Sequence, residues 1–332
     1  MTRVAVIGAG AWGTSLGAVL ARATAGPFTL WARRQEVADS INQSHRNPEL
    51  LPGTELPPEL RATTALQEAA ADVMVVAVPA QHVRTVISLL SGSIPADAGL
   101  VLCAKGIERT SGYLMSEVVA DVLPATPVAV LSGPSFAGEV ARGLPTALAL
   151  ATTDAGLAKR IPDLLAGSAL RIYGNDDLIG TQIGGAAKNV LAIACGIAVG
   201  AGYGENARAT LIARGMAEIR RLGVACGGRP ETLAGLAGVG DIVLTCTSPA
   251  SRNYAFGHRL GVDRRMANRP PRGRAVVEGV ASAGAIRQLA RRLDVDMPIA
   301  EAVEQVLDAG ADLQAVAAAL LARPHRLDGE TA

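Results

Sequence analysis

A short strand, a glycine loop and a helix follow one another near residue 4, a combination that few folds accommodate. Val4–Ile7 is an uninterrupted apolar run, as expected of a strand covered on both faces. It leads directly into Gly8-Ala9-Gly10-Ala11-Trp12-Gly13, and Ala11 to Arg22 then reads as a helix. In a strand–loop–helix of this G-x-G-x-x-G form, the first glycine permits the tight turn. The second lets the backbone approach a pyrophosphate, and the third lets helix and strand pack closely. The N–H groups of the helix's first turn and its dipole favour the anion. The motif therefore predicts a dinucleotide site built on Gly8, Gly10, Ala11, Trp12 and Gly13.

The stretches that follow continue the pattern. Phe28–Trp31, Val73–Val78, Leu100–Ala104, Val128–Leu131 and Ala147–Ala151 read as further strands, with helical segments between most of them. This predicts an α/β, Rossmann-type, doubly wound and mostly parallel sheet. After about Tyr173 the rhythm changes. Thr181–Ala201, Ala207–Leu222, Ser282–Leu293 and Ile299–Asp308 read as helices, so an all-helical C-terminal domain is expected. The expected division is a dinucleotide-binding domain over residues 1–178 and a helical substrate domain over 179–332, which suits a chain of 332 residues. Arg264–Arg274, rich in Arg and Pro, reads as an exposed loop.

Charge narrows the function. The net charge is +1, against the basic excess that nucleic-acid or membrane-surface binding needs. The apolar run Val190–Gly202 is shorter than a bilayer span and reads as a buried core helix, so no membrane insertion is expected. Cys103, Cys195, Cys226 and Cys246 are widely spaced with no CxxC. They suit buried free thiols of a cytoplasmic protein better than a disulfide framework or a metal site. The residues from Met1 to Gly13 do not read as a signal peptide.

The second strand ends in Trp31-Ala32-Arg33-Arg34, with no carboxylate where NAD binders usually hold the ribose hydroxyls. Two guanidiniums suit a 2′-phosphate, so NADP(H) is the expected preference, with NAD(H) as the alternative. The other reading of Arg33 and Arg34 is the solvated start of a helix. In doubly wound sheets ligands bind beyond the carboxyl ends of the strands. Lys105-Gly106 and Ser132-Gly133-Pro134-Ser135 follow two such ends, and His82 after another reads as a helix-start residue rather than a base. Of 31 basic residues only Lys105, Lys159 and Lys188 are lysines. A lysine kept among arginines is a candidate for what Arg cannot do, such as giving up a proton. Lys188 lies among small apolar residues, where desolvation lowers an ammonium's pKa toward the range useful for proton donation. Asp241, on the turn Gly238-Val239-Gly240, is a candidate partner for it, and Ser251-Arg252-Asn253 offers groups that suit a phosphate.

Taken in order along the chain, these motifs resemble the bacterial-type NAD(P)-dependent glycerol-3-phosphate dehydrogenases. The resemblance rests on Gly8–Thr14, Lys105-Gly106-Ile107-Glu108, Leu131–Ala137, Lys188-Asn189-Val190, Gly235–Asp241, Thr245–Ser248, Ser251-Arg252-Asn253 and Val277-Glu278-Gly279. It implies reversible reduction of dihydroxyacetone phosphate to sn-glycerol 3-phosphate for glycerophospholipid synthesis. It further implies Lys188 as catalytic acid/base, and Lys105, Gly133, Ser135, Asp241, Ser251, Arg252 and Asn253 at the substrate. Trp12, Arg33, Arg34, Lys105, Ala137, Arg252, Val276 and Glu278 would touch the cofactor. Two positions depart from the family pattern. Ala11 stands where Ser or Thr is frequent, and Leu50 precedes Leu51-Pro52 where Tyr is usual. A β-hydroxyacid dehydrogenase, which would need a carboxylate anchor instead of a phosphate clamp, is the enzymatic alternative. A non-catalytic NADP sensor would leave Lys188 and Asp241 without a task. The expected partner is a small phosphorylated substrate, with no nucleic acid, no metal, and a homodimer through the helical half.

Overall fold

A computed structural model describes residues 2–23, 28–263, 277–308 and 311–323. Val276 and the Arg264–Arg274 segment lie outside the described residues. The chain divides into two compact units. The first comprises the described residues up to Ala104 together with Tyr113–Leu178. The second joins Lys105–Gly112 to the described residues from Ile179 onward.

The first unit holds β1 (Val4–Ile7), α1 (Ala11–Ala23), β2 (Phe28–Trp31), α2 (Gln35–Ser44), β3 (Leu60–Thr63), β4 (Val73–Val76), α3 (Val83–Leu90), β5 (Gly99–Leu102), α4 (Met115–Val122), β6 (Val128–Ser132), α5 (Ala137–Ala141), β7 (Thr146–Thr152), α6 (Ala155–Leu164) and β8 (Leu170–Asn175). The strands form one eight-stranded sheet in the order β3-β2-β1-β4-β5-β6-β7-β8. All neighbours are parallel except β6 and β7. Reversal of strand order between β1 and β4 makes the crevice at which such sheets bind ligands. Strand residues alternate between two cores. Val73 and Val75 pack into one with Leu16 and Leu20 of α1, whereas Met74 and Val76 pack into the other with Val83 and Ile87 of α3. A strand buried on both faces needs no polar alternation, which is why β1, β4 and β5 are apolar throughout.

Two strands were not expected from the sequence. β3 and β8 are the edges of the sheet, and exposed Arg61, Arg171 and Tyr173 interrupt their apolar pattern. The strand expected over Val73–Val78 ends at Val76, and α7 begins before the expected Thr181.

The second unit is helical: α7 (Leu178–Gly200), α8 (Gly204–Ala225), α9 (Pro230–Ala234), α10 (Asp241–Thr247), α11 (Arg252–Val262), α12 (Glu278–Arg292), α13 (Pro298–Asp308) and α14 (Leu313–Leu321). A π-helical turn over Leu236–Gly240 joins α9 to α10. Helix α7 is long and apolar enough to cross a membrane, but 78% of its apolar window is buried within the protein, the behaviour of a core helix. Small residues allow very close helix contacts. A Cβ added to Gly196 or Gly200 of α7 would land on the carbonyl oxygens of Tyr254 and His258, and one added to Gly257 or Gly261 of α11 would land on those of Ile193 and Ile197. Glycine repeated at four-residue spacing on both helices lets the two backbones touch. All four cysteines are free; Cys103, Cys195 and Cys246 are buried, while Cys226 is half-buried rather than buried as expected.

Candidate active site

In the first unit the glycine loop has the geometry a pyrophosphate requires. Gly8 takes φ +117°, and a Cβ there would press against the Ala77 carbonyl at 3.0 Å. A Cβ on Gly13 would land on the Gly8 carbonyl oxygen, so helix and strand can meet only without one. Around Gly10, by contrast, nothing lies within 4 Å of an added Cβ. The loop is therefore closed where it packs and open where an anion would approach. Helix α1 starts at Ala11, so its first-turn N–H groups lie beside that opening. The loop's shape is held by Asn47, which donates from Nδ2 to the Ala9 carbonyl at 3.1 Å and to Thr14 Oγ1 at 2.9 Å. Ser15 Oγ donates to the Ala137 carbonyl at 2.7 Å and so ties α1 to the start of α5. These features fit a dinucleotide held by this chain's backbone.

The remaining residues of this unit are placed as follows. Arg33, beyond the end of β2, is exposed, and Arg34 pairs with Glu49 at 2.8 Å. Trp12 is half-buried and packs on the core. Gly133, at φ +144°, lets the chain turn close over Ala147 and Leu148, and Ser135 Oγ donates to the Gly133 carbonyl at 3.0 Å. His82 stands immediately before α3.

In the second unit, six polar residues, either singled out from the sequence or close to one that is, converge. Lys188, 7% exposed on α7, donates from Nζ to Asp241 Oδ1 at 2.8 Å and to Thr245 Oγ1 at 2.7 Å. Lys105 Nζ donates to the other Asp241 oxygen at 2.6 Å. Thr245 Oγ1 lies 3.1 Å from Asp241 Oδ1. Asn189 Nδ2 donates to the Lys105 carbonyl at 3.1 Å, which fixes the backbone that carries Lys105. Asn253 Nδ2 donates to Asn189 Oδ1 at 2.8 Å, and its own Oδ1 accepts from the Gly279 amide at 3.0 Å. Asn253 is thus occupied on both sides by its own chain. Ser251 accepts from the Tyr254 amide at 3.3 Å as the N-cap of α11, while Arg252 beside it is exposed and Glu278 half-buried at the start of α12.

Local structure explains how Asp241 reaches Lys188. Asp241 is the first residue of α10, directly after the π-helical turn. A Cβ on Gly184 of α7 would lie 2.7 Å from the Ala237 carbonyl, and one on Gly238 would land on that of Leu233. Gly184 thus lets the turn press against α7, while Gly238 lets it fold back onto α9, and together they aim the carboxylate inward. Burial by itself would push the Asp241 carboxyl up. The charges of Lys105 and Lys188, with their hydrogen bonds, hold it below the usual carboxylate range. Burial has the larger say for Lys188. It lowers that ammonium below the ordinary lysine value, against the attraction of Asp241 and helped by repulsion from Lys105.

Thr245 and Asn189 are site residues that the sequence alone does not single out. Thr245 lies four residues beyond Asp241, which puts the two on one helix face once Asp241 is seen to open a helix rather than sit in a turn. Asn189 is the direct neighbour of Lys188. Its signal was a buried amide in an otherwise apolar helix.

The model of the N-terminal domain of NAD-dependent glycerol-3-phosphate dehydrogenase matches residues 3–158, and that of the C-terminal domain matches residues 177–318. A glycerol-3-phosphate dehydrogenase [NAD(P)+] from Caulobacter vibrioides is 50% identical over 97% of this chain and 97% of its own. One from Rhodospirillum rubrum is 49% identical over 98% of this chain and 94% of its own. The crystal structure of glycerol-3-phosphate dehydrogenase from Coxiella burnetii superposes with a TM-score of 0.90 at 37% identity, covering 97% of this chain and 99% of that one. With both domain models matched in order and relatives of this identity along nearly the whole length, the chain belongs to the NAD-dependent glycerol-3-phosphate dehydrogenase family.

Proposed function

We propose that Lys188 is the proton-donating group in the reaction this chain carries out as a member of its family, the reversible NAD(P)-dependent reduction of dihydroxyacetone phosphate to sn-glycerol 3-phosphate. The product supplies the backbone of glycerophospholipids. The observation that carries the reading is the buried trio of Lys188, Asp241 and Lys105, in which two ammoniums share one carboxylate. Among these three groups one positive charge is in excess, which favours an anionic substrate and an oxyanion formed on it.

The bound dinucleotide supplies the hydride that reduces the ketone carbon. The chain's own residues deal with the oxygen. As negative charge grows there, the Lys188 ammonium stabilises it and then gives it a proton. A lowered proton affinity makes that transfer easier, and Asp241 keeps the group protonated until it is needed. Thr245 Oγ1 and Asp241 Oδ1 fix the direction of Nζ. Proton transfer of this kind contributes about 10²–10⁴-fold, so positioning must supply much of the rest. That task falls to Arg252 at the start of α11 as the phosphate anchor, with Ser251 and Asn253 setting its backbone, and to Gly133 and Ser135. The division into a cofactor unit and a helical substrate unit is part of the same reading, as is a preference for NADP(H) through Arg33 and Arg34. So are a cytoplasmic location and a homodimer through the helical unit. The dimer is supported by α14, an apolar helix whose Leu321 is 87% exposed.

The test is Lys188→Arg. It keeps the charge beside Asp241 but carries a guanidinium that does not give up its proton near neutral pH. NADPH binding, followed by fluorescence titration, is expected to be retained while kcat falls by about 10²-fold or more. A variant with near-normal kcat contradicts the proton role.

A further inference from the structure

The segment between α2 and β3 is more firmly built than a surface connection needs to be. Helix α2 ends on His45 in the left-handed region, at φ 52°. The Leu56 amide donates to the His45 carbonyl at 2.9 Å, and the Leu51 amide to the Asn47 carbonyl at 2.8 Å. Asn47 is 2% exposed and holds the glycine loop through Ala9 and Thr14. Leu51 is buried in the core. Glu49 therefore projects from a short span pinned on both sides, two residues from each anchor. From there its Oε2 meets Arg34 Nη2 at 2.8 Å. One segment thus grips the loop that faces the pyrophosphate and also the guanidinium beyond the end of β2.

That position has a chemical meaning. The end of β2 is where a dinucleotide-binding sheet meets the adenosine ribose, and an acidic residue there selects a free 2′-hydroxyl. This chain has arginines at that point, but the carboxylate returns from outside the strand, on Glu49. We propose that Glu49 is a cofactor-discriminating residue. By engaging Arg34 it competes with a ribose 2′-phosphate for the guanidinium, and it gives a ribose with a free 2′-hydroxyl a site that is not left with an uncompensated cation. The inference rests on the reading of Arg34 as a ribose-side residue. Because the pair is partly exposed, with 25% and 40% of the side chains accessible, Glu49 restrains Arg34 rather than blocking it. A dianionic phosphate offers the guanidinium fork more charge than one carboxylate and displaces it.

The experiment measures cofactor binding alone, by calorimetry on the full chain without substrate, using NADPH and NADH. Four proteins are compared: the parent, Glu49→Gln, Arg34→Leu and the double variant. Glu49→Gln is expected to tighten NADPH about three- to fivefold and to move NADH by less than about twofold. In the Arg34→Leu background the same substitution is expected to change neither. Equal shifts for both cofactors, no shift, weaker NADPH binding, or an effect that persists without Arg34 each overturn the proposal. Should Arg34→Leu leave the ratio of the two dissociation constants at the parent value, the ribose-side reading fails and the proposal with it. Should Arg34→Leu lower NADPH selectivity while Glu49→Gln does nothing, the role of Glu49 alone fails.

Discussion

Glu218 of α8 is 3% exposed beside the start of α13, where its two oxygens accept from the amides of Ile299 at 2.9 Å and Ala300 at 3.3 Å. It lines an apolar cavity of about 600 Å³ with Arg214, Arg221 and Asp296. Burial pushes its carboxyl up to about 7, against the two amide bonds and the nearby charge of Arg221, which favour the ionised form. The folded protein thus binds this proton more tightly than the unfolded chain does. The resulting stability is full below the unfolded carboxyl pKa and is lost as pH rises through about 7. Its size is about 3 kcal/mol, from a shift of between two and three pKa units. Urea unfolding at about pH 4 and about pH 8 is expected to show the parent losing that much more stability than Glu218→Gln over this interval. Parallel behaviour of the two proteins contradicts it. Lys188 and Asp241 follow the opposite logic. Asp241 compensates the buried Lys188 ammonium, so deleting Asp241 leaves an unpaired ion, a loss of about 3–5 kcal/mol, whereas deleting Lys188 leaves Asp241 still bonded to Lys105.

At the scale of elements, the contact of α7 with α11 turns the usual helix rule around. Replacing a helical glycine by alanine ordinarily stabilises a helix by about 1 kcal/mol. Gly284 of α12 is such a case, since the nearest atom to an added Cβ is the end of the Glu304 side chain at 3.6 Å. Gly257 is the reverse, because its Cβ would strike the Ile193 carbonyl backbone. Gly284→Ala is expected to raise the melting temperature, and Gly257→Ala to lower it by the equivalent of about 1–3 kcal/mol. A gain at both positions would mean that the two helices are not held backbone to backbone. Legibility in the sequence follows the same physics. β1, α1 and α7 could be read because burial on all sides imposes long apolar runs, and the glycine loop because its geometry demands glycine at set positions. β3 and β8 could not, because an edge strand of four to six residues with Arg61, Arg171 and Tyr173 facing outward has no distinctive period.

At the scale of the whole molecule, the dinucleotide loop lies in one unit and the Lys188–Asp241–Lys105 cluster in the other. Lys105 follows β5 of the sheet, yet it and the residues to Gly112 belong to the helical unit. No local pattern announces this, because the reason is Asp241, 136 residues further along. Asp241 itself was legible as a carboxylate on a glycine turn, whereas Thr245 became visible only once α10 was a helix. Arginine takes almost every other basic position in the chain, and this makes the proton affinity of Lys188 measurable in the intact protein. With lysine labelled at Cε and Nζ, only Lys105, Lys159 and Lys188 give signals, and Lys159→Arg removes one of them for assignment. Titration by NMR is expected to place Lys188 below the ordinary lysine value because of its burial, and Lys159 above it through its exposed pairing with Asp163. A Lys188 that titrates at or above the ordinary value would contradict a desolvated proton donor at this position.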